Sequence, residues 1–246
     1  MNNTIDFNLT VGEIVAERIG RSRVLESYGL DYCCGGGTPF ADACAAKGLD
    51  PDEVAAAIAE SDAAPAAGED DGADYRSMPL SRLCDHIEET HHVFMKREVP
   101  RLTELLDKTF KAHGENHPEL AQVVRVYAGL RAEIEAHLLK EEQVLFPFIR
   151  QMEATGGVPQ FHCGSLQAPI GVMLQEHDNA GDALRKLSEL TNGYAVPEDA
   201  CSTYRAALDG LREMELDLHL HIHKENNILF PRALEEEQIR YETAAG

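Results

Sequence analysis

Apolar residues recur at helical spacing over four long stretches of this chain, near residues 79–110, 118–152, 166–190 and 197–237. In the second stretch they occupy positions 120, 123, 124, 127, 130, 134, 138 and 145, which together form one face of a helix. Patterns typical of strands are nearly absent. Four amphipathic helices joined by short connections predict an all-α fold, with an antiparallel four-helix bundle over most of the chain.

The residues before these stretches predict a small helical domain. Thr10 and Glu13 form a capping-box pattern, and Asp50 followed by Pro51 marks a second helix start. Between them, residues 28–39 contain four glycines and predict a loop. Residues 61–74 are rich in Ala, Pro, Gly, Asp and Glu, which is typical of a flexible acidic linker. The predicted division is therefore a helical domain at 1–60, a linker at 61–76 and the bundle at 77–246.

The second and fourth helices contain nearly the same sequence. His137 and Glu141 are followed by Leu-Phe-Pro, and so are His221 and Glu225. Residues four apart lie on one face of a helix, and both pairs fall within the apolar stripe of their own helix. A carboxylate on a core face is costly unless a positive charge meets it. The repeated pair therefore predicts a metal ion.

The first and third helices supply further histidines. His177 lies in the centre of an apolar stripe, 44 residues before His221, and His92 lies 45 residues before His137. The periodicity of the first helix favours the adjacent His91, which lies nearer the centre of its apolar stripe. A single histidine on an apolar face is usually a core residue, but this duplicated set predicts two metals that share two bridging glutamates. Imidazole and carboxylate ligands suit iron, with manganese or zinc as alternatives.

Charge and composition exclude several classes of function. The formal net charge is −21, which repels phosphate backbones and anionic lipid, so we expect no nucleic-acid or membrane-surface binding. No apolar run is long enough to span a membrane, and residues 1–9 lack the features of a signal peptide. The six cysteines do not form a pattern typical of secreted proteins. A cytoplasmic location is the expectation.

The motifs together resemble a known family. The paired His-x-x-x-Glu segments resemble the hemerythrin-like domain, and Asp31-Tyr32-Cys33-Cys34-Gly35-Gly36 resembles the signature of the iron-sulfur cluster repair di-iron proteins, also called the Repair of Iron Centers family. The resemblance covers nearly the whole chain in the family's order. It implies two iron ions as cofactors and favours His92 over His91. The implied ligands are His92, His137, Glu141, His177, His221 and Glu225.

The function that this resemblance implies is the repair of iron-sulfur clusters damaged by nitrosative or oxidative stress. The chemistry is either iron delivery to damaged client proteins or reduction of NO at the two irons, so enzymatic activity stays open. Oxygen-carrying hemerythrins use a fifth histidine where this chain has Glu225. The expected small ligands are therefore NO or peroxide, with O₂ carriage less favoured. Two alternatives are a module that senses O₂, NO or iron, and a structural zinc protein.

Several residues are candidates for supporting roles. Glu133 and Asp217 each precede a predicted ligand histidine by four residues, so they are positioned to accept its ring proton or to relay protons. Glu176 resembles an acidic residue of the family at that place. The remaining histidines are expected at the surface or behind the ligands; they are His86, His113, His117, His162, His219 and His223.

Cys33 and Cys34 form the second candidate site. Adjacent cysteines can close only a strained ring, so we expect no stable disulfide between them. They precede a predicted helix at residues 38–39, whose dipole would favour the thiolate. Such thiolates can bind iron, react with NO or link two subunits into a homodimer.

Overall fold

The computed structural model describes residues 5–63, 73–155 and 165–245, and most of these residues are helical. The helices are α1 (Val11–Glu17), α2 (Ser22–Ser27), α3 (Phe40–Lys47), α4 (Pro51–Ala63), α5 (Leu80–Ile87), α6 (Val93–His113), α7 (Leu120–Lys140), α8 (Phe146–Thr155), α9 (Gln167–Leu190), α10 (Ser202–Lys224) and α11 (Phe230–Ala245). A 3₁₀ turn covers Ile19–Arg21. Three π-helical turns join consecutive helices: π1 (Glu88–His92), π2 (Glu141–Leu145) and π3 (Glu225–Leu229). No strand occurs in this part of the chain, which confirms the all-α prediction.

The described parts of residues 84–218 form one compact unit that contains the core of the bundle. Helices α6, α7, α9 and α10 bury the apolar stripes that the sequence indicates, including Leu102, Tyr127, Leu184 and Leu211. The hydroxyl of Tyr127 donates a hydrogen bond of 2.7 Å to the carbonyl oxygen of Val99, so this buried polar group is satisfied. Burial of these stripes is what holds the four helices together.

The described parts of residues 1–83 and 219–246 form the second compact unit. It contains α1–α4, the last turns of α10, π3 and α11. The predicted capping box is present, because Glu13 N donates to Thr10 Oγ1 and Thr10 N donates to a Glu13 carboxylate oxygen.

The predicted linker begins later than its composition suggested. Helix α4 extends to Ala63, so residues 61–63 are helical and are not part of a flexible segment. The physical reason is Asp62, which accepts hydrogen bonds from Arg18 and from the buried Arg21. Residues 64–72 of the predicted linker lie outside the described residues. The division into three domains stays a prediction.

None of the helices in the described ranges combines the length and the apolar character that a membrane span requires.

Candidate metal centre

Three of the predicted ligands lie in π-helical turns. His92 ends π1, Glu141 begins π2 and Glu225 begins π3. A π-turn accommodates one more residue than a regular helical turn, so it shifts the helical face by about one position. This shift explains why His91 and His92 are both buried, with exposed fractions of 4% and 1%. A count at 3.6 residues per turn cannot reproduce that arrangement.

In the 84–218 unit, three predicted ligand histidines lie around the carboxylate of a fourth predicted ligand, Glu141. Glu141 is fully buried, with its Oε2 atom 3.4 Å from His92 Nε2 and its Oε1 atom 3.2 Å from His137 Nε2. His177 Nε2 lies 3.1 Å from His137 Nε2. Ligand atoms of His137, Glu141 and His177 all lie within 4.8 Å of one another. Each oxygen of Glu141 therefore faces a different imidazole, as in a carboxylate that bridges two metals.

The other unit holds the second copy of the repeated pair. His221 Nε2 lies 3.1 Å from Glu225 Oε1, and both side chains are buried. The corresponding distance between His137 and Glu141 is 3.2 Å. The two His-x-x-x-Glu pairs therefore present the same donor atoms, one imidazole nitrogen and one carboxylate oxygen, at nearly the same separation.

Two of the imidazoles are oriented by carboxylates that contact their Nδ1 atoms. His92 Nδ1 lies 2.8 Å from a Glu142 oxygen, and His137 Nδ1 lies 2.9 Å from a Glu176 oxygen. Because a carboxylate accepts the Nδ1 proton, the Nε2 lone pair is available to a metal. The donor set thus fits a metal ion: the imidazole nitrogens and the carboxylate that converge here are the ligands that such a site requires.

Lysines keep both outer carboxylates ionised. Partial burial opposes ionisation of Glu142, but its bonds to Lys96 and His92 outweigh burial and lower its pKa. Burial likewise opposes ionisation of Glu176, whose bonds to Lys140 and His137 lower its pKa. Each carboxylate is therefore charged and able to hold the imidazole proton.

The supporting carboxylates differ in part from those expected. Glu176 contacts a predicted ligand, His137, whereas Glu133 is exposed on α7. Asp217 contacts His91 Nδ1 at 3.0 Å, although its position four residues before His221 predicted a contact there. The reason is the face of α10 on which Asp217 lies. This face is directed toward His91, which π1 brings into the interior beside His92.

Glu142 was missed by the sequence reasoning. It follows a predicted ligand directly, and neighbouring residues normally lie on different faces of a regular helix. A signal for its role was the pair His92 and Lys96. These residues are four apart and lie on one helical face, and both contact the Glu142 carboxylate.

The Cys33–Cys34 loop (residues 28–39) lies in the unit that contains π3. Cys33 is 5% exposed, and its backbone N–H and Sγ lie 3.1 Å and 3.2 Å from Asp31 Oδ1. Its Sγ is 3.9 Å from the Sγ of the half-buried Cys34, so the two sulfurs are not bonded.

The expected thiolate at Cys33 is a wrong prediction. The contact with Cys34 and burial raise the pKa of Cys33 well above its usual value, with Asp31 adding to the effect. The next helix begins only at Phe40, and the influence of a helix dipole falls off within the first turn. The surroundings of Cys33 therefore favour its thiol over its thiolate.

His223 departs most from the expectation for the remaining histidines. It is fully buried, its Nδ1 donates to the carbonyl oxygen of Tyr32 at 3.2 Å, and burial lowers its pKa to about 4. Elsewhere, His113 and His117 are half-buried around Tyr204 near one end of the bundle. His162, like Cys163, lies outside the described residues.

Comparison with known proteins gives two family matches. Residues 84–233 match the Hemerythrin HHE cation binding domain, and residues 7–62 match ScdA_N, a domain of unknown function. The chain is 35% identical over 224 residues to the iron-sulfur cluster repair protein YtfE of Escherichia coli O81 (strain ED1a), covering 91% of this chain and 96% of that protein. Proteins of the same name from Escherichia coli O1:K1 and Escherichia fergusonii are 34% identical over the same shares.

The chain belongs to the family of iron-sulfur cluster repair proteins. This assignment confirms the family that the sequence motifs indicated, and the hemerythrin match confirms the helical bundle. The match to residues 84–233 includes every predicted metal ligand, and the match to residues 7–62 includes the cysteine loop. The candidate ligands therefore lie in the part of the chain that matches a cation binding domain.

Proposed function

We propose that this protein holds two iron ions and repairs iron-sulfur clusters damaged by nitrosative or oxidative stress. The proposed ligands are His92, His137, Glu141, His177, His221 and Glu225. The observation that carries the proposal is the fully buried Glu141, whose two oxygens face two different imidazoles at 3.2 Å and 3.4 Å. A buried carboxylate in this setting is expected to need a cation, and two metals satisfy both of its oxygens.

The second His-x-x-x-Glu pair supplies the remaining two proposed ligands. His221 and Glu225 repeat His137 and Glu141 in sequence and in nitrogen–oxygen distance. With both glutamates as bridges, each metal would take two imidazoles. This mixed nitrogen and oxygen donor set favours iron over structural zinc, because structural zinc sites are typically rich in thiolates.

The chain's own residues prepare the ligands. Glu142 and Glu176 accept the Nδ1 protons of His92 and His137, and Lys96 and Lys140 balance the carboxylate charges. These contacts fix the tautomer and the ring orientation of both histidines. When bound, the two irons would supply one-electron chemistry and open positions for NO, O₂ or peroxide.

The relatives' name supports a role in repair. They are called iron-sulfur cluster repair proteins, and the chain matches them over 91% of its length. The proposed partners are damaged iron-sulfur proteins in the cytoplasm, served by iron delivery, NO reduction or both. The cysteine pair offers thiols for iron or NO handling and a means to link two copies of the chain.

The proposal is tested with an iron-sulfur enzyme that NO has inactivated. Iron-loaded full-length protein, added anaerobically, should restore more activity than the same amount of free ferrous iron. A Glu141→Ala variant supplied with equal total iron should restore no more than free iron does, because its central carboxylate is gone. Equal restoration by the variant, or none by either protein, contradicts the proposal. Reversible binding of O₂ or NO without repair would instead support a sensor.

A further inference from the structure

One amide side chain holds the backbone of the cysteine loop. Asn227 Nδ2 donates to the carbonyl oxygens of Tyr32 and Cys33, at 3.2 Å and 3.1 Å. His223 Nδ1 donates to the same Tyr32 carbonyl at 3.2 Å. The loop carbonyls directly before and at the first cysteine are therefore fixed by two side chains from the end of the chain.

Two glycines make this close approach possible. A Cβ atom added to Gly36 would lie 2.2 Å from Asn227 Oδ1, and one added to Gly12 would lie 2.5 Å from it. Gly12 N also donates to Gly36 O at 2.8 Å, which joins α1 to the loop. No side chain fits at either position while Asn227 keeps its place. Helix α1, the cysteine loop and π3 thus close around the Asn227 amide.

The same residues flank a proposed metal ligand. His223 precedes Glu225 by two residues, and Asn227 follows it by two within π3. Glu225 is fully buried and lies 3.1 Å from His221. A displacement of Glu225 therefore moves the backbone that carries both His223 and Asn227, because the three residues share little more than one helical turn.

The loop that these contacts fix carries both thiols. Cys33 is 5% exposed, so a reagent reaches it only when the loop opens. Cys34 is half-buried and more accessible. The hydrogen bonds to Tyr32 and Cys33 oppose that opening.

We infer that Asn227 and His223 are positioning residues that hold the Cys33–Cys34 loop on the turn of Glu225, so that metal occupancy and thiol accessibility are coupled. This inference rests on the proposed function in one respect, that Glu225 binds metal. Coupling between two sites is reciprocal: if metal binding protects the loop from opening, opening of the loop weakens metal binding by the same factor.

The experiment measures the alkylation rate of each cysteine by iodoacetamide, resolved by peptide mass spectrometry, in the full-length protein. In the wild type, loading with ferrous iron should slow modification of Cys33 several-fold relative to metal-free protein. Asn227→Ala removes the amide's hydrogen bonds to Tyr32 and Cys33, so Cys33 in the iron-loaded variant should react about tenfold faster or more. The difference between loaded and metal-free protein should shrink, because only the contact of His223 with Tyr32 remains.

The glycines provide a matched pair of variants. Gly36→Ala should displace Asn227 and reproduce the effect of Asn227→Ala, because its new Cβ meets the amide. Gly37→Ala adds the same methyl group where no atom lies within 4 Å, so it should behave as the wild type. Asn227→Asp keeps the side-chain shape but loses both N–H donors, so it should not rescue the loop.

A purely structural effect has a different signature. General loosening of the fold would speed modification of Cys44, which is fully buried on α3, as much as that of Cys33. The inference requires the ratio of the two rates to rise in Asn227→Ala and Gly36→Ala. The inference is overturned if the ratio of the Cys33 rate to the Cys44 rate in these variants equals that in Gly37→Ala. It is also overturned if iron binds to the wild type without changing the alkylation rate of Cys33. Absence of iron binding instead refutes the proposed function, and the ratios in metal-free protein still decide whether Asn227 holds the loop.

Discussion

At the scale of single residues, His91 and His92 are neighbours with different contacts. His92 Nε2 faces Glu141, whereas His91 Nδ1 lies 3.0 Å from Asp217. The apolar periodicity favours His91, because it assumes a regular helix through residues 88–92. The π-turn in this segment changes the face that each histidine presents.

These contacts predict unequal effects of two adjacent substitutions. His92→Ala removes an imidazole that faces Glu141, so it should strongly lower the iron content of anaerobically purified protein. His91→Ala leaves that donor set intact and should retain most of the iron. Metal analysis of both variants checks the ranking, and greater loss in His91→Ala would show that the ligand has been placed one residue away from its true position.

The carboxylates behind the histidines give a second prediction. Glu142→Gln and Glu176→Gln cannot hold the Nδ1 proton as a charged acceptor, so each should weaken iron binding about 10–100-fold. Glu133→Gln is the control, because Glu133 is exposed on α7. Competition for iron against a chelator measures all three affinities. A loss in the Glu133 variant equal to the other two would contradict the assignment.

At the scale of secondary structure elements, most of the fold is predictable from the sequence. The four amphipathic stretches, the Thr10 cap and the start of α4 at Pro51 all follow from local rules that the structure obeys. The π-turns do not, because they depend on how buried ligands pack rather than on the preferences of their own residues. For the same reason, the contact of Glu142 with His92 could not be predicted from the faces of a regular helix.

The end of α4 depends on a contact that composition does not reveal. Arg21 is buried and forms ion pairs with Asp62 and Glu17. Asp62→Asn should destabilise the protein by roughly 2–4 kcal/mol, because it leaves a buried guanidinium short of negative charge. Asp182→Asn breaks an exposed pair with Arg185 and should cost about 1 kcal/mol or less.

Thermal or denaturant unfolding of the two variants measures this difference. A larger loss of stability in Asp182→Asn than in Asp62→Asn would mean that the Arg21 pair does not hold α4. It would then leave the helical state of residues 61–63 without its physical explanation.

At the scale of the whole molecule, the compact units do not follow the order of the sequence. Residues 5–63 share a unit with the end of the chain, where Asn227 reaches Tyr32, Cys33, Gly12 and Gly36. The sequence predicted an N-terminal domain that a linker separates from the bundle. That division stays a prediction. The contacts of Asn227 were not predicted, because glycines and one asparagine make them, and such residues leave no apolar periodicity to detect.

The net charge of −21 is a second property of the whole molecule. A strongly negative protein attracts cations such as ferrous ions and repels nucleic acid, which agrees with a role in iron chemistry. Charge alone does not select iron. In the proposed function, the selection of iron would depend on the buried imidazoles and carboxylates around Glu141.

The metal content of full-length protein, purified anaerobically from iron-replete cells, shows whether the chain holds two irons. About two irons per chain are expected, because two histidines and two shared glutamates would serve each metal. Glu141→Ala should lose most of this iron, since its carboxylate faces both His92 and His137. Stoichiometric zinc without iron in the wild type, or a full complement of iron in the Glu141→Ala variant, would contradict the proposed di-iron site.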